Sequence, residues 1–247
     1  MPKSKRLRVF AGPNGSGKSG LFNVFKKDHD PGYFINADNL ENELKTTGFI
    51  DLLVIGLKAS DKELISFNKT KEAKSLITKS TNEGNIISIE IKENCVVRTS
   101  IKTHSYEASF VAAFIRWLLY KQQMSFSFET VMSHISKVNE MKAAQKKGYR
   151  TYLYFICTDD SQLNVQRVAD RVEKGGHNVD PKKIISRYPD TLNNLHKAIK
   201  CANRTYLFDN SGKEQILIAE IFEDILQLKT DQIPNWFINY VLPYFHN

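Results

Sequence analysis

Gly12-Pro13-Asn14-Gly15-Ser16-Gly17-Lys18-Ser19 fits the pattern G-x-x-x-x-G-K-[ST]. Residues of these types at this spacing bind phosphate. The glycines let the backbone curl so that successive N–H groups point inward at phosphate oxygens. The Lys18 ammonium reaches β- and γ-phosphates, and the Ser19 hydroxyl is the protein's ligand to Mg²⁺. The ligand these residues imply is a nucleoside triphosphate, ATP, with Mg²⁺. Other chemistry-bearing residues lie further along: the carboxylates Asp38 and Glu129, the arginines Arg167 and Arg171 four apart on one helix face, and Arg187. Phosphoryl transfer asks for positioning and charge neutralisation more than for covalent chemistry. Lys18, Mg²⁺ on Ser19 and one or two of the arginines supply that positive charge. Asp38 can accept the proton of an attacking hydroxyl.

Each of these residues needs an element to hold it. The apolar run Leu7, Val9, Phe10, Ala11 reads as a buried strand before the glycine loop, and Leu21, Phe22, Val24 and Phe25 follow at helical spacing. The positive N-terminal end of that helix, starting near Lys18, adds to the phosphate site. Tyr33-Phe34-Ile35 forms a second strand that runs into Asp38. Open α/β sheets place ligands at such strand ends; the alternative for Asp38 is to cap a helix over 39–46. Met124 to Thr130 alternates as a strand ending at Glu129, whose alternative role is a capping carboxylate for a helix running from Thr130 to Lys147. Tyr149–Cys157 is the clearest strand, and the helix after it carries Arg167 and Arg171. Gly175-Gly176-His177-Asn178-Val179-Asp180-Pro181 reads as a mobile lid, closing to exclude water from ATP. Arg187 lies on the next segment, and a helix over 190–201 leads to a strand at 205–208. For the arginines the alternative is a surface salt bridge.

The remaining stretches are less chemical. From about 48 to 103 the βα rhythm breaks into a Lys/Ser/Thr/Asn-rich insertion in which Ile87, Ile89 and Ile91 alternate as one strand. A long amphipathic helix over 105–122, capped by Ser105, carries an aromatic stripe that belongs to a core. A C-terminal extension from about 214 to 247 holds a hairpin, 216–221 with 225–228, and an apolar terminal helix from Pro234 to Phe245. The whole chain, 1–247, reads as one α/β domain with that insertion and extension.

The 247 residues are 41% hydrophobic, enough for a full core, and carry a formal charge of +8. The lysines are spread along the chain; Lys3, Lys5, Arg6 and Arg8 are the one basic cluster, too small to indicate nucleic acid. Cys95, Cys157 and Cys201 form no C-x-x-C pair, which points to a reducing compartment without a zinc site. No run of eighteen apolar residues occurs and no secretory apolar region precedes Gly12, so the expected location is cytoplasmic, with no membrane contact.

Taken together, several stretches resemble the zeta-toxin family of P-loop kinases. They are the loop from Ala11 to Ser19, Phe34-Ile35-Asn36-Ala37-Asp38, Ser127-Phe128-Glu129-Thr130, the run from Arg167 to His177, Ser186-Arg187-Tyr188-Pro189, and Tyr206 to Gly212. The resemblance implies a P-loop NTPase three-layer sandwich whose central parallel sheet has strand order 2-3-1-4-5. It implies transfer of the ATP γ-phosphate to a hydroxyl of a small acceptor, a nucleotide sugar such as UDP-N-acetylglucosamine, by a toxin with an antitoxin protein as partner. By the same resemblance Asp38 is the base on the accepting hydroxyl, Glu129 holds substrate, and an arginine of the Arg167/Arg171 helix stabilises the moving phosphate. A second arginine near the lid aligns loosely with His177 or Arg187. Gly20 departs from the family's second hydroxyl residue, and the insertion and the tail after Thr230 depart from its short forms. Two rival readings are a kinase for another acceptor, a free sugar or a polynucleotide end, and a non-catalytic ATP-binding regulator.

Overall fold

The computed structural model describes residues 4–100 and 103–245, so Lys3 of the basic cluster lies outside the described residues. The chain divides into two compact units, residues 1–32 with 127–247, and residues 33–126.

The first unit is built on strands β1 (Arg6–Ala11), β6 (Phe126–Thr130), β7 (Arg150–Cys157), β8 (Arg204–Asp209), β9 (Ile216–Phe222) and β10 (Ile225–Leu228). They stand in the order β10-β9-β8-β7-β1-β6. β1, β7 and β8 pair in parallel, whereas β8–β9 and β9–β10 are antiparallel. The run β6-β1-β7-β8 is the 3-1-4-5 portion of the expected order, and the 216–228 hairpin adds two antiparallel strands beyond it. Strand side chains alternate between faces. On one face Phe10 meets Phe22 and Phe25 of α1 (Lys18–Asp28) edge-on at 5.2 and 5.4 Å and stacks on Tyr154, which stacks on Tyr206. On the other, Phe155 meets Trp236 of α9 (Asn235–Tyr240) at 5.8 Å. Helices α6 (Ser136–Lys146), α7 (Ser161–Glu173) and α8 (Pro181–Ile199) complete the unit. The result is an α/β fold with a mostly parallel central sheet flanked by helices.

Three helix limits differ from those the sequence suggests. α6 begins at Ser136 instead of Thr130, because the Thr130 hydroxyl accepts from Met132 N–H at 3.0 Å and Met132 adopts φ +60°, a turn no helix can hold. α8 runs unbroken through Pro189. Pro189 cannot donate to the Ile185 carbonyl, but both residues lie on the exposed face of the helix, where water is at hand. The terminal helix stops at Tyr240 and resumes as a 3₁₀ turn over Leu242–Tyr244, with Val241 at φ −118° off helical geometry between them.

The second unit contains β2 (Tyr33–Ile35), α2 (Ala37–Thr47), α3 (Asp61–Asn68), α4 (Lys71–Asn82), α5 (Ser105–Lys121) and a small antiparallel sheet of order β3-β5-β4. Its strands are β3 (Phe49–Asp51), β4 (Ile89–Lys92) and β5 (Cys95–Arg98); the predicted Ile87–Ile91 strand starts two residues late. α5 is the centre, burying Phe110, Val111, Phe114, Ile115, Leu118 and Leu119. Phe67 packs against Phe110, Phe114 and Trp117 at 5.1, 5.4 and 6.0 Å. His104, not Ser105, caps the helix, its Nδ1 accepting from Glu107 N–H. Inside this unit the Glu107 carboxylate is fully buried and accepts from Ser88 N–H at 3.1 Å and from the Ser100 hydroxyl. Asn94 uses both ends of its amide, accepting from Ala59 N–H and donating to the Leu57 carbonyl. All three cysteines are free, and among the described residues no helix is long and apolar enough to cross a membrane.

Candidate phosphate-binding site

The glycine loop joins β1 to α1, and neighbouring elements press on it closely. Gly12 N–H donates to the Thr130 carbonyl at the end of β6, and Gly17 caps α1 in a left-handed conformation. At Gly12 (φ +147°) a Cβ would stand 2.0 Å from the Ile156 carbonyl oxygen of β7. At Gly15 it would stand 2.5 Å from the carbonyl oxygen of Asn164, so α7 rests directly on the loop. Only glycine permits approaches of this kind.

Lys18 is 6% exposed and folds back into the loop, where its ammonium donates to the carbonyls of Gly12 at 2.9 Å and Pro13 at 2.8 Å. Glu129 closes the group: Oε1 lies 3.9 Å from Lys18 Nζ, and Oε2 accepts from the Ser19 hydroxyl at 3.0 Å. Two hard oxygen donors, Ser19 Oγ and a Glu129 carboxylate oxygen, thus stand side by side. That donor set fits Mg²⁺, which takes one or two protein oxygens and leaves its other positions to water and substrate phosphates.

The two arginines of α7 turn to different neighbours. Arg167 donates to the Gly212 carbonyl at 3.2 Å, in the turn after β8. Arg171 donates to the His177 carbonyl at 2.6 Å, and its own carbonyl accepts from Gly176 N–H, so it anchors the glycine segment 175–177. Arg187 sits half-buried in the second turn of α8. Asp38 lies in the other unit, exposed, in the first turn of α2. It is not the cap: Asn36 Oδ1 accepts from Asp38 N–H at 2.8 Å and from Asn39 N–H at 3.1 Å.

Several buried polar atoms of the loop and of α7, which rests on it, have no hydrogen-bond partner among the described residues: Asn14 Oδ1 and Ser16 Oγ in the loop, and Asn164 Nδ2, Arg167 NH1 and Arg171 Nε on the helix. Buried groups of this kind are normally satisfied, so their concentration in the loop and the helix that rests on it marks a place built for a polar ligand. Three residues that sequence reasoning left without a role hold the loop. The Asn210 amide donates to the Ser16 carbonyl at 2.8 Å and Gln215 to the Gly17 carbonyl at 3.3 Å, while the Asn164 backbone lies against Gly15, its side chain accepting from the Thr158 hydroxyl at 2.9 Å. Burial pushes up the Cys157 thiol, at the end of β7, and the Tyr188 phenol, on α8, which favours their protonated forms.

The Zeta toxin family model matches residues 88–220, more than half of the chain, a stretch that holds Glu129, Arg167, Arg171 and Arg187. Among curated proteins, an uncharacterized protein of Haemophilus influenzae is 31% identical over 68 residues, 28% of this chain and 49% of that protein. Among solved structures, the AvrRxo1-ORF1:AvrRxo1-ORF2 complex with sulphate ions superposes with a TM-score of 0.57 at 15% identity, covering 92% of this chain and 61% of that one. The same complex with ATP gives 0.56 at 15% identity over the same shares. At such identity the likeness is one of fold. This chain spans about half the length of the curated relative and 61% of the structural ones.

Proposed function

This chain belongs to the zeta toxin family, and from that premise we propose that it is an ATP-dependent phosphotransferase. The observation that carries the reading is the set of unpartnered buried donors, Ser16 Oγ in a phosphate-type glycine loop and Asn164 Nδ2, Arg167 NH1 and Arg171 Nε on the helix α7 that rests on it. ATP phosphates are the ligand with enough acceptor oxygens to serve several donors at once. On their arrival the Lys18 ammonium exchanges the carbonyls of Gly12 and Pro13 for β- and γ-phosphate oxygens. Ser19 Oγ, with Glu129 beside it, would hold Mg²⁺, which when bound would supply charge neutralisation on phosphate oxygens. Arg167, Arg171 and, from α8, Arg187 are the cations proposed for the charge that develops on the transferred group. The AvrRxo1-ORF1:-ORF2 relative was solved with ATP, which fits the nucleotide.

The proposed acceptor is a hydroxyl of a UDP-sugar such as UDP-N-acetylglucosamine. Its oxygen forms the new bond to the γ-phosphorus, the bond to the β–γ bridging oxygen breaks, and Asp38 takes the hydroxyl proton while ADP leaves. Glu129 has a part in both readings, as a substrate contact or beside the metal. The proposed partner is an antitoxin protein, in keeping with a toxin family.

The deciding experiment incubates the protein with Mg-ATP and a panel of UDP-sugars, free sugars and oligonucleotides, then weighs the products. A UDP-sugar heavier by one phosphate is the expected result. Phosphate on a free sugar or an oligonucleotide end would replace the acceptor. In parallel, Mg-ATP at a hundred times its Kd is expected to stabilise the fold by about 2.7 kcal/mol; an unmoved melting temperature would remove nucleotide binding altogether.

A further inference from the structure

We infer that Trp236, in the C-terminal helix α9, is a positioning residue for the phosphate-binding loop, acting through Asp209 and Asn210. The inference rests on the nucleotide-binding reading above and adds a part of the chain that lies outside the glycine loop and outside the matched family stretch.

Trp236 is 2% exposed, and its indole N–H donates to Asp209 Oδ1 at 2.9 Å. Its backbone N–H donates to Asp159 Oδ1 at 2.9 Å, while the Asn235 amide donates to Asp159 Oδ2 at 3.2 Å. Asp209 is the last residue of β8, and Asp159 lies two residues past β7. Asp209 is 8% exposed, so its carboxylate must find hydrogen-bond donors within the protein in place of water. It has three: the indole, Ser211 N–H on Oδ2 at 2.9 Å and the Ser211 hydroxyl on Oδ1 at 2.8 Å. That hydroxyl also accepts from Asp159 N–H at 2.9 Å, which ties the two strand ends together.

The turn fixed in this way is the one that reaches the glycine loop. Asn210 N–H donates to the Cys157 carbonyl, and its side-chain amide donates to the Ser16 carbonyl. Gly212 presents its carbonyl to Arg167, and Gln215 donates to the carbonyl of Gly17. One hydrogen-bonded path therefore runs from the indole through the Asp209 carboxylate and the 209–212 turn to the peptide of Ser16 and to Arg167. Ser16 and Gly17 precede Lys18 directly, so a shift of this turn moves the N–H groups that would face phosphate. Bonds to a carboxylate are about twice as strong as neutral ones, so the indole is a stiff tether on that path.

The test is Mg-ATP affinity, measured by calorimetry on the full chain, for wild type, Trp236→Phe, Asn210→Ala and the double variant, with a melting curve for each. Trp236→Phe keeps an aromatic ring and loses the donor. It is expected to weaken ATP binding on the order of tenfold, raising KM for ATP with kcat little changed. In the Asn210→Ala background the same substitution is expected to add little, because the path is already cut. A general structural role would lower the melting temperature alone or give effects that add; either result overturns the inference, as does unchanged affinity in Trp236→Phe. Should Trp236→Phe not fold, Asp209→Ala removes the acceptor of the indole N–H and is expected to weaken ATP binding likewise, unchanged affinity there overturning the inference too. If wild type itself does not bind Mg-ATP, the nucleotide reading falls and this inference with it; if wild type binds and the variants match it, this inference alone falls.

Discussion

Glu107 and Asn164 are both fully buried polar side chains, one in each unit, and their surroundings differ in kind. Glu107 accepts from a backbone N–H and a serine hydroxyl of its own unit, and Asn94 nearby in sequence uses both ends of its amide. Asn164 receives the Thr158 hydroxyl on its oxygen, but its NH₂ has no partner among the described residues, and Asn14 and Ser16 of the glycine loop and Arg167 and Arg171 of α7 each leave an atom unmatched too. Ser127 and Thr205, inside strands β6 and β8, and His196 on α8 are isolated instances in the same unit. The contrast teaches how to separate polar groups that hold a fold from polar groups that await a ligand. An unmatched buried donor costs about 1–3 kcal/mol, so several in one loop and the helix that rests on it are retained only where something else repays them.

The contrast can be broken first at the arginines. Arg171→Ala is expected to lower turnover by roughly 10³-fold or more if this guanidinium meets charge in the transition state, with ATP affinity moving much less. Arg167→Ala is the paired measurement, and the larger loss in kcat identifies the arginine on the transferred phosphate. Normal turnover with weak ATP binding in both would turn these groups into ground-state contacts.

Next in size is Asp38→Asn. Loss of a general base is worth about 10²–10⁴-fold in turnover. Because Asn36 provides the helix cap, the melting temperature should hardly change, the first-turn charge being worth only about 0.3–1 kcal/mol. Full activity per folded molecule would take the base role from Asp38 and leave Glu129 as the carboxylate to test.

The smallest effect sharpens the other side. Glu107→Ala removes a satisfied acceptor from the second unit and strands Ser88 N–H. Urea unfolding should show a loss of about 1–3 kcal/mol, while Mg-ATP affinity of the folded protein stays as in wild type. A specific loss of affinity would mean that the two kinds of buried polar group are not separable by their partners.

The glycine loop, its flanking strand and helix, the Glu129 strand and the hairpin at 216–228 could be read from sequence because local pattern carries them: spacing of glycines, period 2 in strands, period 3.6 in helices. What could not be read is what depends on long-range contact. Nothing around Asn164 or Asn210 announces that α7 and the turn after β8 press on the glycine loop, since those approaches join residues far apart in the chain. The start of α6 was hidden in the choice of Thr130 to bond its own turn, and the role of Asn36 as cap was hidden behind the more conspicuous Asp38. Pro189 reads as a break, yet helix α8 absorbs it on a solvent-facing side.

The chain has two tryptophans, and the division into units gives one to each. Trp117 stacks on Phe114 beneath a lysine ammonium, and Trp236 is sealed in with its indole on a carboxylate. Each unit thus carries its own intrinsic fluorophore in a distinct polarity. Removing one indole at a time would let melting of the two units be followed separately by emission, so that the order in which they come apart is open to direct optical observation without an attached label.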